Sequence, residues 1–206
     1  MSSLHLDLPE PVRRPRCARC ALPLASCLCA LVARVDNATE VLVLQHPREA
    51  REAKGTARLL GLSLARCRIV VGEVFEAAAL EHLLHGAGRR SVLLYPEVEL
   101  ADIVADAPGA GVVPTQLVVL DATWRKSLRM LMASPALQAL PRWTLAPTTP
   151  GAYGVLRKAR RPTQLSTLEA SCAALAQLDG DPARYAPLLA AFVRFVETRM
   201  ALVAPE

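Results

Sequence analysis

The residues best suited to chemistry stand near the middle of the chain, where residues 117–132 read LVVLDATWRKSLRMLM. Asp121, Thr123 and Trp124 place a carboxylate, a hydroxyl and an aromatic ring within four residues. If a helix begins here, its unpaired N–H groups and partial positive charge also suit an anionic ligand. The structural alternative is that Asp121 or Thr123 only caps that helix and that Trp124 lies in the core.

The elements that would position these residues are a buried strand and an amphipathic helix. Residues 117–120 form an apolar run, which is typical of a strand covered on both faces. From Trp124 onward the spacing becomes helical, with one apolar and one basic face: Trp124, Leu128, Leu131 and Met132 on the first, and Arg125, Lys126 and Arg129 on the second. Ligands of open α/β sheets bind just beyond the carboxyl ends of strands, so the turn at 121–123 is a candidate site.

Strands and helices alternate through the rest of the chain. Short apolar runs predict strands at 39–46, 67–71, 91–95 and 142–146, and helical spacing predicts helices at 47–65, 76–85, 166–179 and 181–203. This alternation predicts an α/β fold with a mainly parallel sheet and helices on both faces. We expect three parts: an extended arm at 1–15, a small zinc hook at 16–34 and an α/β catalytic domain at 35–206.

The hook contains four cysteines in the spacing C-x2-C-x6-C-x-C: Cys17, Cys20, Cys27 and Cys29. Four thiolates this close together can surround a tetrahedral zinc ion, and the C-x2-C pair can supply two ligands from one turn. With all four positions filled by protein, such a metal is structural and has no site for a catalytic water. The alternative is a set of buried or redox-active thiols.

Two clusters of basic residues are candidates for contact with nucleic acid. The first surrounds the cysteines and consists of Arg13, Arg14, Arg16 and Arg19. The second lies in the segment LRKARRP at 156–162 and consists of Arg157, Lys158, Arg160 and Arg161. Each can follow a phosphate backbone or can be an ordinary solvated surface. For the second cluster we favour RNA contact, because it directly precedes a predicted helix start.

That helix start and two strand ends complete the set of candidate positions. Ser166 and Glu169 have the spacing of a capping box, and the N–H groups of the first turn could hold a ligand carboxylate. His46 follows the first predicted strand, although a lone histidine is more often structural. Tyr95 and Pro96 close the third strand, and taken alone they indicate a simple turn.

Composition narrows the classes of function. The chain has 206 residues, of which 52% are hydrophobic, which is ample for the core of one domain. A net charge of +5 permits a nucleic-acid partner, whereas an aromatic content of 4% argues against a base-stacking sheet. The sequence shows neither a membrane-spanning apolar run nor a secretory signal. We therefore expect a cytoplasmic protein with no membrane partner, whose cysteines are thiols or metal ligands.

The tetrapeptide at 121–124 resembles the D-x-T-W signature of the DTW-domain family of tRNA-uridine aminocarboxypropyltransferases, which are distantly related to SPOUT-type enzymes. Further blocks match the family in order, namely Ser134-Pro135, Leu140-Pro141, Tyr153, Leu156-Arg157 and LSTLEA at 165–170. The four cysteines resemble the zinc hook of the bacterial branch. The resemblance covers residues 16–200, and it departs from the pattern at Ser127, where we expect Ala.

The resemblance implies a reaction and a fold. The reaction moves the 3-amino-3-carboxypropyl group of S-adenosylmethionine to N3 of a tRNA uridine, in the variable loop at position 47, and releases methylthioadenosine. S-adenosylmethionine is then the co-substrate, zinc is structural and tRNA is the partner. The implied fold is SPOUT-like with a trefoil knot toward the C-terminal half, and the implied assembly is a monomer or weak dimer.

The resemblance also assigns residues to roles. Asp121, Thr123 and Trp124 form the catalytic set, in which Asp121 takes the N3 proton, contacts the sulfonium or caps the helix. The implied donor-binding set consists of Tyr95, Pro96, Leu120, Asp121, Leu156, Ser166 and Thr167. The implied RNA-binding set consists of Arg125, Arg157, Lys158, Arg160 and Arg161. The metal ligands are Cys17, Cys20, Cys27 and Cys29.

Two rival functions stay open at the level of sequence. One is methyl transfer from the same donor, which releases S-adenosylhomocysteine in place of methylthioadenosine. The other is a non-catalytic RNA-binding module built on the zinc hook, which would not bind S-adenosylmethionine. A large α/β body argues against the second rival, because a binding hook does not need one.

Overall fold

The structure is a computed structural model that describes residues 15–52, 55–96, 113–145 and 165–201. Its strands are β1 (Glu40–Gln45), β2 (Cys67–Val71), β3 (Ser91–Leu94), β4 (Gln116–Asp121) and β5 (Arg142–Trp143). Its α-helices are α1 (Pro47–Ala50), α2 (Ala57–Ser63), α3 (Ala77–His85), α4 (Trp124–Met132), α5 (Pro135–Gln138), α6 (Thr167–Leu178) and α7 (Pro182–Ala201). Short 3-10 turns lie at Leu24–Ser26, Cys29–Leu31 and Gly86–Gly88.

The five strands form one sheet in the order β2-β1-β4-β3-β5, and every pair within it is parallel. The central strand β4 pairs with β1 over six positions, from Glu40 opposite Gln116 to Gln45 opposite Asp121. All six residues of β4 are buried, as its apolar run predicts. The predicted parallel sheet is confirmed, and the carboxyl ends of β1, β3 and β4 lie along one edge, called the carboxyl edge below.

Two hydrophobic cores cover the two faces of the sheet. Val43, Leu117 and Val119 pack with α2, α6 and α7 in one core. Leu44, Val118 and Leu120 alternate with them along the strands and pack with α3, α4 and α5 in the other. The predicted helices on both faces are therefore confirmed. The expected knot depends on the path of 97–112 and 146–164, which lie outside the described residues, so it stays a prediction.

The helix predicted at 47–65 is two helices. The side chain of His46 accepts a hydrogen bond from the N–H of Arg48 and caps α1, which ends at Ala50. A second helix, α2, begins at Ala57 and buries Ala57 and Leu60. Glu49 lies in a charged stretch of the sequence that is typical of a solvated helix face, but it is only 8% exposed. It turns inward because Lys126 of α4 lies within ion-pair distance.

Helix α4 begins where the sequence predicts it, but it buries a different face. Ser127, Met130 and Leu131 are buried, whereas Trp124 and Met132 are about half exposed. Ser127 can face inward because its hydroxyl donates to the carbonyl of Trp124, which satisfies the polar group. A pattern based on apolar residues alone misses this position.

The opposite edge of the sheet, where the strands begin, is called the amino edge below. A buried carboxylate, that of Asp179, connects two elements of the fold there. Its oxygens accept hydrogen bonds from the backbone N–H groups of Ala38 and Thr39, the Thr39 hydroxyl and Arg184. They also accept a short hydrogen bond from the Tyr185 hydroxyl. Burial alone would raise the pKa of Asp179, but these hydrogen bonds outweigh it and hold that pKa below its ordinary value. Asp179 thus joins the end of α6 to the start of β1.

We predict that Asp179→Asn lowers the free energy of unfolding by about 3 kcal/mol, because several donors lose a buried carboxylate. Asp181→Asn is the matched control. The Asp181 side chain is 43% exposed against 1% for Asp179, and among the described residues its ion pair is with Arg184. The control is expected to cost less than about 1 kcal/mol. Urea denaturation at pH 7 measures both, and equal losses would contradict the assignment.

The same contacts predict the pH dependence of stability. Because the folded pKa of Asp179 is depressed, its contribution is complete above the unfolded value of about 3.9 and is lost as pH falls toward the folded value. The wild type should therefore lose more stability than Asp179→Asn between pH 5 and pH 2, by about 1 kcal/mol or more. Urea denaturation across this range measures the difference, and parallel curves would count against it.

Candidate active site at the carboxyl edge

Asp121 is the last residue of β4, and it is bonded to two other elements of the fold. Its Oδ2 accepts a hydrogen bond of 2.8 Å from Nε2 of Gln45, at the end of β1. Its Oδ1 accepts a hydrogen bond of 2.6 Å from the hydroxyl of Thr167, at the start of α6. The backbone N–H of His46 donates to the carbonyl of Asp121. The carboxylate therefore joins β1, β4 and α6.

These contacts decide against the helix-cap interpretation of Asp121 and Thr123. Helix α4 begins at Trp124, and Thr123 occupies the N-cap position. The Thr123 side chain makes no capping hydrogen bond, and it is exposed. Asp121 lies two residues before that position and is oriented by other elements. The cap interpretation is therefore wrong for both side chains.

Trp124 stacks on Tyr95, the residue that follows β3. The two ring centroids are 5.3 Å apart and the ring planes differ by 16°. Tyr95 is buried, whereas Trp124 is 52% exposed, so the interpretation of Trp124 as a core residue is wrong. The exposed Trp124 ring therefore presents an aromatic surface to solvent at the carboxyl edge, and the buried Tyr95 ring supports it.

The Tyr95 side chain is in turn held in place by a neighbour in α4. Its hydroxyl lies 3.3 Å from the hydroxyl of Ser127, and burial raises the pKa of Tyr95 although Ser127 and Arg142 act to lower it. The guanidinium of Arg142 donates to the carbonyls of Leu137 and Leu140, and so fixes α5 against the start of β5. The phenol stays protonated near neutral pH and acts as a support for the indole.

The start of α6 has the capping box that its sequence predicts. The hydroxyl of Ser166 accepts from the N–H of Glu169, and the Glu169 carboxylate accepts from the N–H of Ser166. Ser166 is 3% exposed and its hydroxyl serves the cap. Among the described residues, the side chain at this helix start that reaches the candidate site is that of Thr167, through Asp121.

The structure thus brings most of the predicted site residues to one edge. The residues placed there are Tyr95, Pro96, Leu120, Asp121, Thr123, Trp124, Ser166 and Thr167, with Arg125 exposed on the first turn of α4. The remaining predicted site residues, Leu156, Arg157, Lys158, Arg160 and Arg161, lie outside the described part of the chain.

Three residues at this edge were not identified from the sequence as site residues: Gln45, Glu49 and Lys126. Gln45 orients Asp121, and Lys126 Nζ lies 3.2 Å from Oε1 of Glu49, which connects α4 to α1. His46 beside them is buried, and its Nε2 lies 3.5 Å from Oε2 of Glu73. Gln45 ends β1 and Glu49 follows it in α1, and this position is the signal that could have found them, since strand ends on one edge meet. Lys126 lies on α4, the helix that follows β4.

The four cysteines of the hook form the compact cluster that their spacing predicts. Their sulfur atoms all lie within 4.8 Å of one another, with Cys17 and Cys29 at 3.7 Å and Cys20 and Cys27 at 3.7 Å. The backbone N–H groups of Cys20 and Arg19 point at the Cys17 sulfur and lower the pKa of Cys17 to about 6. This arrangement can hold a metal ion.

The hook packs into the body of the protein. Cys20, Leu22 and Leu28 are buried in the same core as Phe192 and Phe195 of α7. Within the described ranges, no helix has both the length and the apolar character that a bilayer span requires.

Comparison with known proteins agrees with this arrangement. A model of the DTW domain family matches residues 14–200. The chain is 31% identical over 182 residues to tRNA-uridine aminocarboxypropyltransferase 2 of Drosophila melanogaster, which covers 84% of this chain and 70% of the relative. The Mus musculus protein of the same name is 30% identical over 182 residues, covering 84% of this chain and 60% of its own length.

A plant relative is more distant: tRNA-uridine aminocarboxypropyltransferase A of Arabidopsis thaliana is 27% identical over 141 residues, covering 59% of this chain and 52% of the relative. No solved structure matches the chain significantly. The family model includes both the cysteine cluster and the residues around Asp121. The chain therefore belongs to the DTW domain family.

Proposed function

We propose that the protein transfers the 3-amino-3-carboxypropyl group of S-adenosylmethionine to N3 of a tRNA uridine, in the variable loop at position 47. The observation that carries the proposal is the anchoring of the signature carboxylate, Asp121, by Gln45 and Thr167 at the carboxyl edge. The relatives named for this activity support it, because they match the chain along most of its length.

The reaction forms one bond and breaks one. Uridine N3 bonds to the methylene carbon next to the sulfonium, the bond from that carbon to sulfur breaks, and sulfur keeps the electron pair as methylthioadenosine leaves. The N3 proton passes to a base. Because the sulfonium is already an activated leaving group, the main task of the protein is to present the methylene carbon, and not the methyl group, to N3.

Asp121 is our candidate for the base. Carboxylates are common general bases, and efficient proton transfer requires a fixed geometry. The amide of Gln45 and the hydroxyl of Thr167 bond to different oxygens of Asp121, which fixes the plane of the carboxylate. Both contacts come from elements packed in the core, so Asp121 is positioned by the fold and not by a loop.

The other predicted site residues supply binding surfaces. The exposed face of Trp124, stacked on Tyr95, suits a flat nucleobase. Donor binding is assigned to Tyr95, Pro96, Leu120, Asp121, Leu156, Ser166 and Thr167, with Ser166 contributing through the helix start that it caps. Contact with the tRNA backbone is assigned to Arg125, Arg157, Lys158, Arg160 and Arg161.

The cysteine cluster is proposed to hold a structural zinc ion. A tetrahedral site with Zn–S bonds of about 2.3 Å places its sulfurs about 3.8 Å apart. The separations of 3.7 Å for Cys17 with Cys29 and for Cys20 with Cys27 match this geometry. Zinc would connect the two cysteine pairs and stabilise the hook, whose buried residues belong to the core.

The proposed reaction predicts which group is transferred. Unmodified tRNA is incubated with the protein and with S-adenosylmethionine labelled in either the carboxyl carbon or the methyl group. We expect the carboxyl label to enter tRNA while methylthioadenosine is released. Entry of the methyl label would instead establish methyl transfer. Binding of tRNA without entry of either label would indicate a non-catalytic RNA-binding module.

Two substitutions separate the roles of Asp121 and Gln45. Asp121→Asn should lower kcat by about 100-fold or more, because the amide cannot take the N3 proton. Gln45→Leu should lower kcat by about tenfold with little change in KM, because the carboxylate remains but loses an orienting bond. Steady-state kinetics with saturating tRNA and donor measure both.

Gln116→Leu is the matched control for Gln45→Leu. Gln116 is also a buried glutamine bonded to a neighbouring side chain, Ser91, but it stands at the other end of β4. Its replacement should affect stability and leave kcat within about twofold. An equal fall in kcat for both variants would show a general effect of packing, and near wild-type turnover by folded Asp121→Asn would refute the base assignment.

The proposed zinc site predicts the metal content of the protein. The purified protein should contain one zinc ion per chain, and Cys29→Ser should lose most of it, since a serine hydroxyl is a poor zinc ligand. Cys67→Ser is the control, because Cys67 lies outside the cluster of four. Elemental analysis measures the zinc content, and a chelator should lower Tm by several degrees in wild type and in Cys67→Ser but not in Cys29→Ser. Full zinc content in Cys29→Ser would rule out this ligand set.

A further inference from the structure

We infer that arginines of the hook and of the segment after β1 form one surface that binds the phosphate backbone of tRNA beside the catalytic edge. We call this surface the arginine ridge and define it as Arg16, Arg19, Arg48, Arg51 and Arg58. The inference rests on the proposed function in one respect, namely that the partner is tRNA. It adds a second binding surface, separate from the set Arg125, Arg157, Lys158, Arg160 and Arg161, and joins two arginines of the basic cluster around the cysteines, Arg16 and Arg19, to three from the segment after β1.

The course of the last two helices gives the position of the hook relative to the candidate site. Helix α6 begins at the carboxyl edge, where Thr167 bonds to Asp121, and ends at the amino edge, where Asp179 bonds to Thr39. The next helix, α7, therefore runs back toward the carboxyl edge, and its 20 residues extend about 30 Å. Near its end, Arg199 donates to the carbonyl of Ser26 in the hook. The hook thus lies at the same edge as Asp121.

The hook and α1 are directly connected by one side chain. The guanidinium of Arg58 donates from Nη1 to the carbonyl of Cys20 at 2.7 Å and from Nη2 to the carbonyl of Ala50 at 2.9 Å. One guanidinium therefore links the two segments, so their backbones are adjacent. Arg19 and Arg51 are the chain neighbours of Cys20 and Ala50, and both are exposed.

The arginine ridge is positively charged. Arg16, Arg19, Arg48 and Arg51 are exposed, and the hydrogen bonds that Arg58 makes with described residues go to carbonyls, which carry no net charge to neutralise it. Within the described ranges, none of the five forms an ion pair. Residues 15–35 contain no acid, and of the two acids in 47–58, Glu49 is buried against Lys126 while Glu52 is exposed.

The chemistry of these side chains fits phosphate. Arginine presents a planar set of donors that matches two phosphate oxygens at once, and it stays charged at any physiological pH. Contacts to phosphate fix the register of a nucleic acid without reading its sequence. The ridge would therefore hold the body of the tRNA while Trp124 and Asp121 act on one uridine. Because α1 follows Gln45 directly, the ridge adjoins the element that orients Asp121.

The test uses the full chain and measures the Kd of unmodified tRNA as a function of salt. Arg19→Ala/Arg51→Ala should weaken binding about tenfold and reduce the slope of log K against log salt by about 2. The matched control is Arg68→Ala/Arg90→Ala, two exposed arginines at the amino edge, which should change Kd by less than about twofold. Arg19→Lys/Arg51→Lys should recover most of the salt slope, since the charge is retained.

Zinc content and the KM for S-adenosylmethionine are measured in the same variants and should be unchanged, which separates a lost phosphate contact from a disrupted hook. Wild-type affinity and slope in Arg19→Ala/Arg51→Ala would overturn the ridge, even if transfer to tRNA is intact. Ridge-dependent binding without transfer of the aminocarboxypropyl group would uphold the ridge and refute the proposed activity. Failure of the wild type to bind tRNA would overturn both.

Discussion

The structure depends on one carboxylate at the end of the central strand. Asp121 accepts hydrogen bonds from Gln45, which is buried, and from Thr167, which is partly buried, and these two residues belong to elements far apart in the sequence. A buried carboxylate without such partners would carry a large desolvation penalty, so the positions of β1 and α6 are constrained by it. The same constraint fixes the carboxylate relative to the aromatic pair beyond β3. The hydrogen bonds that position the Asp121 carboxylate at the site are thus the same ones that constrain how β1 and α6 pack in the core.

Asp179 imposes a matching constraint at the other edge. It joins the end of α6 to the start of β1, while Asp121 joins the start of α6 to the end of β1. The helix and the strand are therefore antiparallel and are held at both ends by a carboxylate. Between these two points the core on this face of the sheet is apolar and includes Val41 and Val43 of β1 and Leu168 and Leu175 of α6. Apolar packing brings α6 and β1 together, but it does not fix how far one is shifted along the other. The hydrogen bonds of Asp121 and Asp179 fix that shift.

Features encoded by local patterns could be predicted from the sequence. The strand before Asp121, the capping box at Ser166 and the cysteine cluster each depend on residues close together in the chain. The features that could not be predicted depend on which distant element lies alongside. Glu49 is buried because Lys126 reaches it, and Trp124 is exposed because α4 turns Ser127 inward toward Tyr95. Gln45 gains its role only because strand order places β1 beside β4. That order is a long-range property, which periodicity does not contain.

The burial of the hook has a consequence for how this architecture can change in evolution. Cys20, Leu22 and Leu28 cover part of the apolar face that α7 presents through Phe192 and Phe195. A lineage that lost the hook would expose that face and become prone to aggregate, unless α7 acquired polar residues in the same period. Loss of the cysteines and revision of the last helix are thus expected to occur together in descendants of this chain. The hook is inherited with the helix on which it rests, and not as an independent module.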